Sequence, residues 1–194
     1  MAKRKGGKYQ SILDAAVKVI AANGYGNSQI NKIAREAGVA DGTVYIYFDS
    51  KEEMMIDVFN DFLGGFIEEI RLEMAQIPDS PGKLKKLVKA HLTIVESNYE
   101  KAVVCLVELR RPDPILREAM GEVLRRYFQL IEQLVEEGQA DGSFNPDLDK
   151  RLVRRMIFGT LDEIVTSWVW RRRPGLADQA PIVSNMMLRG LTRG

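Results

Sequence analysis

Apolar residues recur along this 194-residue chain at three- and four-residue steps, the spacing of helices that bury one side. Clean two-residue alternation, the mark of a half-buried strand, is nearly absent. The stripe Ile12, Ala16, Val19 and Ile20 predicts a helix over about residues 9–22, stopped by Asn23-Gly24. Ile30, Ile33, Ala34 and Ala37 predict a second helix, with Ser28 as its cap and Gly38 as the residue that leaves it with positive φ. A short third helix, capped by Asp41, buries Val44 and Phe48 and leaves Thr43, Tyr45 and Tyr47 on its other sides. Ser50 and Glu53 have the spacing of a capping box and open a long fourth helix over about 51–76, ending before Pro78. Gly64-Gly65 inside it costs about 1 kcal/mol per glycine relative to alanine, which reads either as close packing against a neighbour or as a bend.

After the break IPDSPG, the stripe Leu84, Leu87, Val88, His91, Leu92, Val95 predicts a further helix. Others follow over about 99–109, over 115–137 with Leu124, Phe128, Ile131 and Val135 inward, and, beyond the loop GQADGSFNPDLD, over 148–172 and 177–191. The penultimate helix carries apolar residues on more than one face, so it needs cover on several sides. The pattern predicts an all-α protein of about nine helices: a compact domain of three short helices and the start of the fourth over 7–67, and a helical domain over 68–194.

Composition narrows the class. Hydrophobic residues make up 45% and charged residues 28%, ordinary for a soluble globular chain. No apolar run approaches the ~18 residues of a membrane span, and the basic start MAKRKGGKYQ lacks the apolar stretch of a secretion signal. One cysteine, Cys105, in AVVCLV, forms no internal disulfide and suits a cytoplasmic setting as a small buried hydrophobe. The lone histidine, His91, has no ligand-type neighbours in sequence, so no metal is expected. There is no nucleophile–base pair, metal cluster or phosphate loop, so neither catalysis nor a cofactor is expected. Residues 1–51 hold eight basic and four acidic side chains, a local charge of +4 on a chain of net +1. A basic quarter coinciding with a short-helix motif is the footprint of a nucleic-acid reader.

The motif itself is GVADGTVYIYFDSK, residues 38–51, which has the form of the turn and second helix of a helix-turn-helix. Ser28 and Gln29 begin the helix that crosses the DNA backbone in such readers. Thr43, Tyr45 and Tyr47 face the major groove, where a hydroxyl or methyl can meet a base edge and a phenol can reach phosphate. Lys51, a cation at a helix start, either binds a phosphate there or is a solvated lysine beside Glu52 and Glu53. Lys3, Arg4 and Lys5 form a basic arm that adds salt-sensitive attraction.

The run ILDAAVKVIAANGYGNSQINKIAREAGVADGTVYIYFDSKEEM resembles the TetR family of bacterial repressors in its IAANGY helix end, its IA–AGV–GT–Y–YF core and the following lysine. The resemblance implies a homodimer on an inverted-repeat operator in double-stranded DNA, with Thr43, Tyr45, Tyr47 and Lys51 as contacts. VELRRPDPILREAM, DGSFNPDLD and RLVRRMIFGTLDEIVTSWV are similar to a group in that family that represses fatty-acid degradation. That likeness implies a long-chain acyl-CoA effector, bound among the C-terminal helices, whose binding releases the DNA. An alkyl tunnel needs apolar walls, for which Phe62, Phe66, Leu106, Phe128 and Met156 are candidates; the same residues would also build an ordinary core. Lys89, Arg110 and Arg111 are candidates for the CoA phosphates, His91 for a polar point near the cavity, and Gly159 for close approach of a ligand or backbone. Leu161, Ile164, Trp168, Ile182 and Met186 are the expected dimer residues. The rival readings are a repressor answering another hydrophobic molecule, such as a drug or amphiphile, and a lipid-binding helical protein that ignores DNA.

Overall fold

The computed structural model of the chain describes residues 6–108 and 114–192, and among them every regular element is helical. The elements are α1 (Gly7–Asn23), α2 (Ile30–Glu36), α3 (Asp41–Tyr47), α4 (Lys51–Phe59), a π turn (Asn60–Gly64), α5 (Gly65–Met74), α6 (Ser80–Ser97), α7 (Tyr99–Glu108), α8 (Pro114–Ala140), α9 (Lys150–Arg171), a short 3-10 turn (Ala177–Gln179) and α10 (Ala180–Leu191). With α4, the π turn and α5 counted as one rod, these are nine helices among the described residues, as the periodicity predicts. Two compact units emerge: residues 1–63 with 100–122, and residues 64–99 with 123–194.

In the first unit α1 packs on α2 and α4, and α2 on α3. Ile12, Ala16, Ile33, Ala34, Val44 and Phe48 form its centre, all essentially inaccessible. Gly38, at φ 67°, lets the chain leave α2, and Val39 N–H closes the turn on the carbonyl of Ala34. Two caps differ from expectation. The residue before α2 is Gln29, with no side-chain cap, because the Ser28 hydroxyl turns inward and donates to the carbonyls of Val19 and Gly24. The residue before α3 is Ala40; Asp41 lies in the first turn, where its charge favours the helix dipole without bonding an amide. The Ser50 cap forms as expected, accepting from Glu53 N–H at 3.1 Å, while Glu53 reaches back to the amide of Asp49. In the same unit Cys105 on α7 is buried, which pushes its thiol up to about 12.

The long fourth helix is realised with one irregularity. Asn60 and Gly64 both keep right-handed helical angles, so the π turn inserts into a continuous rod rather than breaking it. Close packing does not require the glycine pair. A Cβ on Gly64 would meet the Arg126 guanidinium at an ordinary 3.9 Å, and one on Gly65 would meet nothing.

The second unit is built on α6, which packs against α5, α9 and α10. Leu84, Leu87, Val88 and Leu92 are its fully buried stripe. Asp79 caps α6 and Asp149 caps α9 by accepting backbone amides. The Glu96 carboxylate, near the end of α6, accepts the N–H groups of Gly175, Leu176 and Ala177 at 2.9–3.1 Å, fixing the turn ahead of α10. Those bonds hold its pKa below the usual carboxylate range. Gly138 on α8 receives the Phe144 ring so closely that a Cβ there would lie 2.1 Å from it.

Candidate nucleic-acid interface and buried aromatic cluster

The first unit presents α3 on a braced platform. Val44 and Phe48 point inward, and Phe48 stacks on Tyr9 at 5.1 Å. The Tyr9 hydroxyl donates to Asp57 on α4, and burial with that carboxylate raises the phenol above its ordinary range. With its inner side fixed, α3 turns Tyr45 outward at 56% exposure, beside half-buried Thr43 and Tyr47. Tyr47 leans back to within 6.4 Å of the Tyr9 ring. The sequence reading also missed a residue here: Ile46 is the most exposed large side chain of α3, at 70%. The one signal in the sequence is that it fits neither the Val44–Phe48 stripe nor any other.

Lys51 is not a loosely solvated cation. Its ammonium donates to the carbonyls of Tyr25 and Ser28 at 2.7 and 3.1 Å and lies 4.0 Å from the centre of the Tyr25 ring. Glu52 accepts the Tyr25 hydroxyl at 2.6 Å, which lowers its own pKa. Two adjacent residues at the start of α4 thus strap down the turn between α1 and α2. Lys51, Gln29, Asn31 and Tyr45 border a depression of about 400 Å³, and Gln29 is exposed there. Ser28 lies beside that depression but is itself fully buried, with its hydroxyl spent on two carbonyls. Lys3, Arg4 and Lys5 lie outside the described residues.

In the second unit, aromatic rings run from α5 through α6 and α8 to α9. Phe66 meets His91 and Tyr127 edge-on at 5.9 and 5.8 Å. Tyr127 in turn meets Phe158, which meets Phe128 at 4.9 Å. The Arg154 guanidinium covers the Phe128 ring and pairs with Glu132. Tyr127 Oη and His91 Nδ1 are 2.8 Å apart. Burial holds the imidazole down at about 4, so it is neutral near pH 7. Of the residues expected to line a ligand cavity, the structure gathers Phe66, His91 and Phe128 here, and adds Tyr127 and Phe158. Phe66 also floors a groove of about 390 Å³ between α5 and α6, with Ile70 and Ile94, whose rim carries Lys89 and the Lys86–Glu73 pair. Phe62 and Leu106 belong to the first unit, and Arg110 and Arg111 fall outside the described residues. Met156 and Gly159 do not line an interior: both are exposed on α9, one and two turns from exposed Leu152.

The expected dimer residues divide similarly. Ile182 and Met186, one turn apart on α10, are exposed at 68% and 69%, and a Cβ on Gly190, a turn further, would meet nothing. Ile164 and Trp168 are half-buried. Leu161 is fully buried. Among the described residues no three His, Cys, Asp or Glu side chains gather to hold a metal, and no helix is long and apolar enough to cross a membrane.

Comparison with known proteins covers both units. Residues 12–58 match the bacterial regulatory proteins of the tetR family, and residues 59–190 match the C-terminal region of YsiA-like proteins. The chain is 42% identical over 167 residues to the fatty acid metabolism regulator protein of Bacillus subtilis, 86% of each chain being covered. The structure is similar to that of the fatty acid degradation regulator FadR from Bacillus halodurans (44% identity, TM-score 0.94, 99% of this chain and 100% of that one). It is similar, too, to FadR from Bacillus subtilis solved in complex with stearoyl-CoA (38% identity, TM-score 0.90, 94% and 99%). With both halves matched and α3 disposed as a helix-turn-helix requires, the chain belongs to the TetR family of bacterial regulatory proteins.

Proposed function

We propose that this protein is a homodimeric repressor of fatty-acid degradation genes, released from an inverted-repeat operator by long-chain acyl-CoA. It works in the cytoplasm without catalysis or cofactor. One observation carries the reading: the likeness to the Bacillus subtilis regulator solved with stearoyl-CoA extends over 94% of this chain, so it takes in α6, α8 and α9 as well as the helix-turn-helix.

Residues 7–67 form the DNA-binding domain in this reading, and 68–194 the ligand-binding and dimerisation domain. Gln29, Thr43, Tyr45, Tyr47 and Lys51 meet DNA, assisted by Lys3, Arg4 and Lys5. Base edges fall to α3, whose neighbour α2 crosses the backbone. The rings of Phe66 and Phe128 offer an alkyl chain apolar walls, and the His91–Tyr127 pair is a polar point among those rings. Lys89, Arg110 and Arg111 suit the CoA phosphates. Ile182 and Met186, with Leu152 and Met156, supply apolar surface for a second copy. The effector releases DNA only as far as it binds the DNA-incompetent state better.

The test is titration of stearoyl-CoA into the protein–operator complex, with free CoA and stearate as controls. Release by stearoyl-CoA alone is the expected result. An intact complex at saturating stearoyl-CoA overturns the effector assignment, and release by apolar amphiphiles regardless of headgroup replaces it with a general hydrophobic sensor.

A further inference from the structure

We infer that Ile46 reads DNA sequence, by packing its side chain against the 5-methyl group of a thymine in the major groove. The inference rests on the DNA-reading role proposed for α3.

Tyr45 and Ile46 are large hydrophobic residues of the first unit with exposed side chains, at 56% and 70%. They are consecutive, and both stand on α3. A single exposed isoleucine elsewhere on a surface needs no explanation. Here the position and the chemistry restrict what can cover it. Isoleucine is β-branched and gives a seven-residue helix little intrinsic support. Its neighbours Val44 and Phe48 already anchor α3, so Ile46 is not needed for packing. It has no donor or acceptor, so it can bind neither a phosphate nor the polar edge of a base. The apolar feature that base pairs display in the major groove is the thymine methyl.

The ground in front of Ile46 is also clear. Helical side chains lean towards the N-terminus of their helix, so Ile46 leans over Gly42, one turn earlier. Gly42 is exposed, and a Cβ built on it would meet nothing within 4 Å. That leaves an open shelf beside the isoleucine, on the N-terminal half of the helix, which approaches base edges most closely in helix-turn-helix readers. Thr43 and Tyr45 carry the hydrogen-bonding groups on either side. Ile46 adds a contact that distinguishes thymine from cytosine and from uracil.

The experiment uses an operator selected by the full-length protein from random duplexes. Each thymine is then replaced singly by deoxyuridine, which lacks only the methyl group. At one position in each half-site the wild type should lose roughly fourfold in affinity, the value of one buried methyl. Ile46→Ala should bind the unmodified operator with a similar loss and be indifferent to deoxyuridine there, and Ile46→Val should keep part of the sensitivity. The salt dependence of binding should be the same in all three, since no phosphate contact changes. Because Ile46 is exposed, the thermal melts of the variants should coincide with that of the wild type. Selected half-sites without thymine, or deoxyuridine losses that are equal in wild type and Ile46→Ala, overturn the inference and leave the DNA-reading role standing. Failure to select any sequence overturns that role and the inference with it.

Discussion

The Tyr127 hydroxyl on α8 stands 2.8 Å from Nδ1 of His91 on α6, inside a cluster whose other members are phenylalanine rings. Each is the other's polar partner in an otherwise apolar setting, and this is why both are tolerated there. Tyr127→Phe keeps the ring and removes the hydroxyl. It should cost about 1–3 kcal/mol, the range for stranding a buried polar atom, measured as a shift of the urea midpoint at neutral pH.

The same pair sets a pH dependence. His91 titrates near 4 in the folded protein, below its ordinary 6.5, because burial disfavours the imidazolium. Between those values the unfolded chain binds the extra proton and the folded one does not, so stability should fall as pH drops from about 6.5 towards 4. His91→Phe should flatten that part of the profile in urea unfolding followed across the range. An unchanged slope would show that other groups dominate acid sensitivity.

Lys51 serves two carbonyls of the α1–α2 turn and overlies Tyr25. Lys51→Met should destabilise the protein by about 1–3 kcal/mol, because both bonds are lost and the Tyr25 carbonyl keeps only the N–H of Ser28. With a third N–H left over, Lys51 can also meet a phosphate, and the variant should lower the slope of log affinity against log salt by about 1. Lost stability with an unchanged slope would remove Lys51 from the DNA contacts.

Gly138 and Phe144 share one site, a Cβ on the first lying 2.1 Å from the ring of the second. Gly138→Ala should therefore cost about 1–3 kcal/mol by overpacking, despite the better helix propensity of alanine. Adding Phe144→Leu should return part of the loss, which a double-mutant cycle in thermal unfolding would read.

Exposed Met186 and buried Leu161 separate association from folding. Met186→Glu, alone or with Ile182→Glu, should give a folded monomer in sedimentation velocity. Leu161→Ala should leave association intact and cost about 2–5 kcal/mol in unfolding as a core cavity. A folded dimer from the double glutamate variant would move the interface off α10.

The fold was legible wherever burial follows helical period. The stripes of α1, α2 and α6 and the short motif around Val44 and Phe48 appear as read, since their apolar positions leave one face to bury. Errors arose where side-chain chemistry can be satisfied in more than one way. Ser28 has the composition of a cap, yet its hydroxyl found carbonyls inside the turn, a choice set by tertiary packing. On α8 the stripe was read through Leu124 and Phe128, whereas the fully buried positions are Val123 and Tyr127. Nothing local marks Tyr127 for burial, because its partner is 36 positions away. Ile46 carries no local mark of exposure: its place on the surface shows only once Val44 and Phe48 are seen to anchor the helix. The π turn has no sequence mark beyond the glycine pair at its end.

Burial of Cys105 has a practical corollary. It is the sole cysteine of the chain, and with its thiol held near 12 it stays protonated and sluggish towards maleimides and mild oxidants. A reporter cysteine placed at Tyr45 or Met186 would consequently be the one reactive handle. Fluorescent or spin labels could then be attached to the native background, and operator encounter and subunit pairing followed separately.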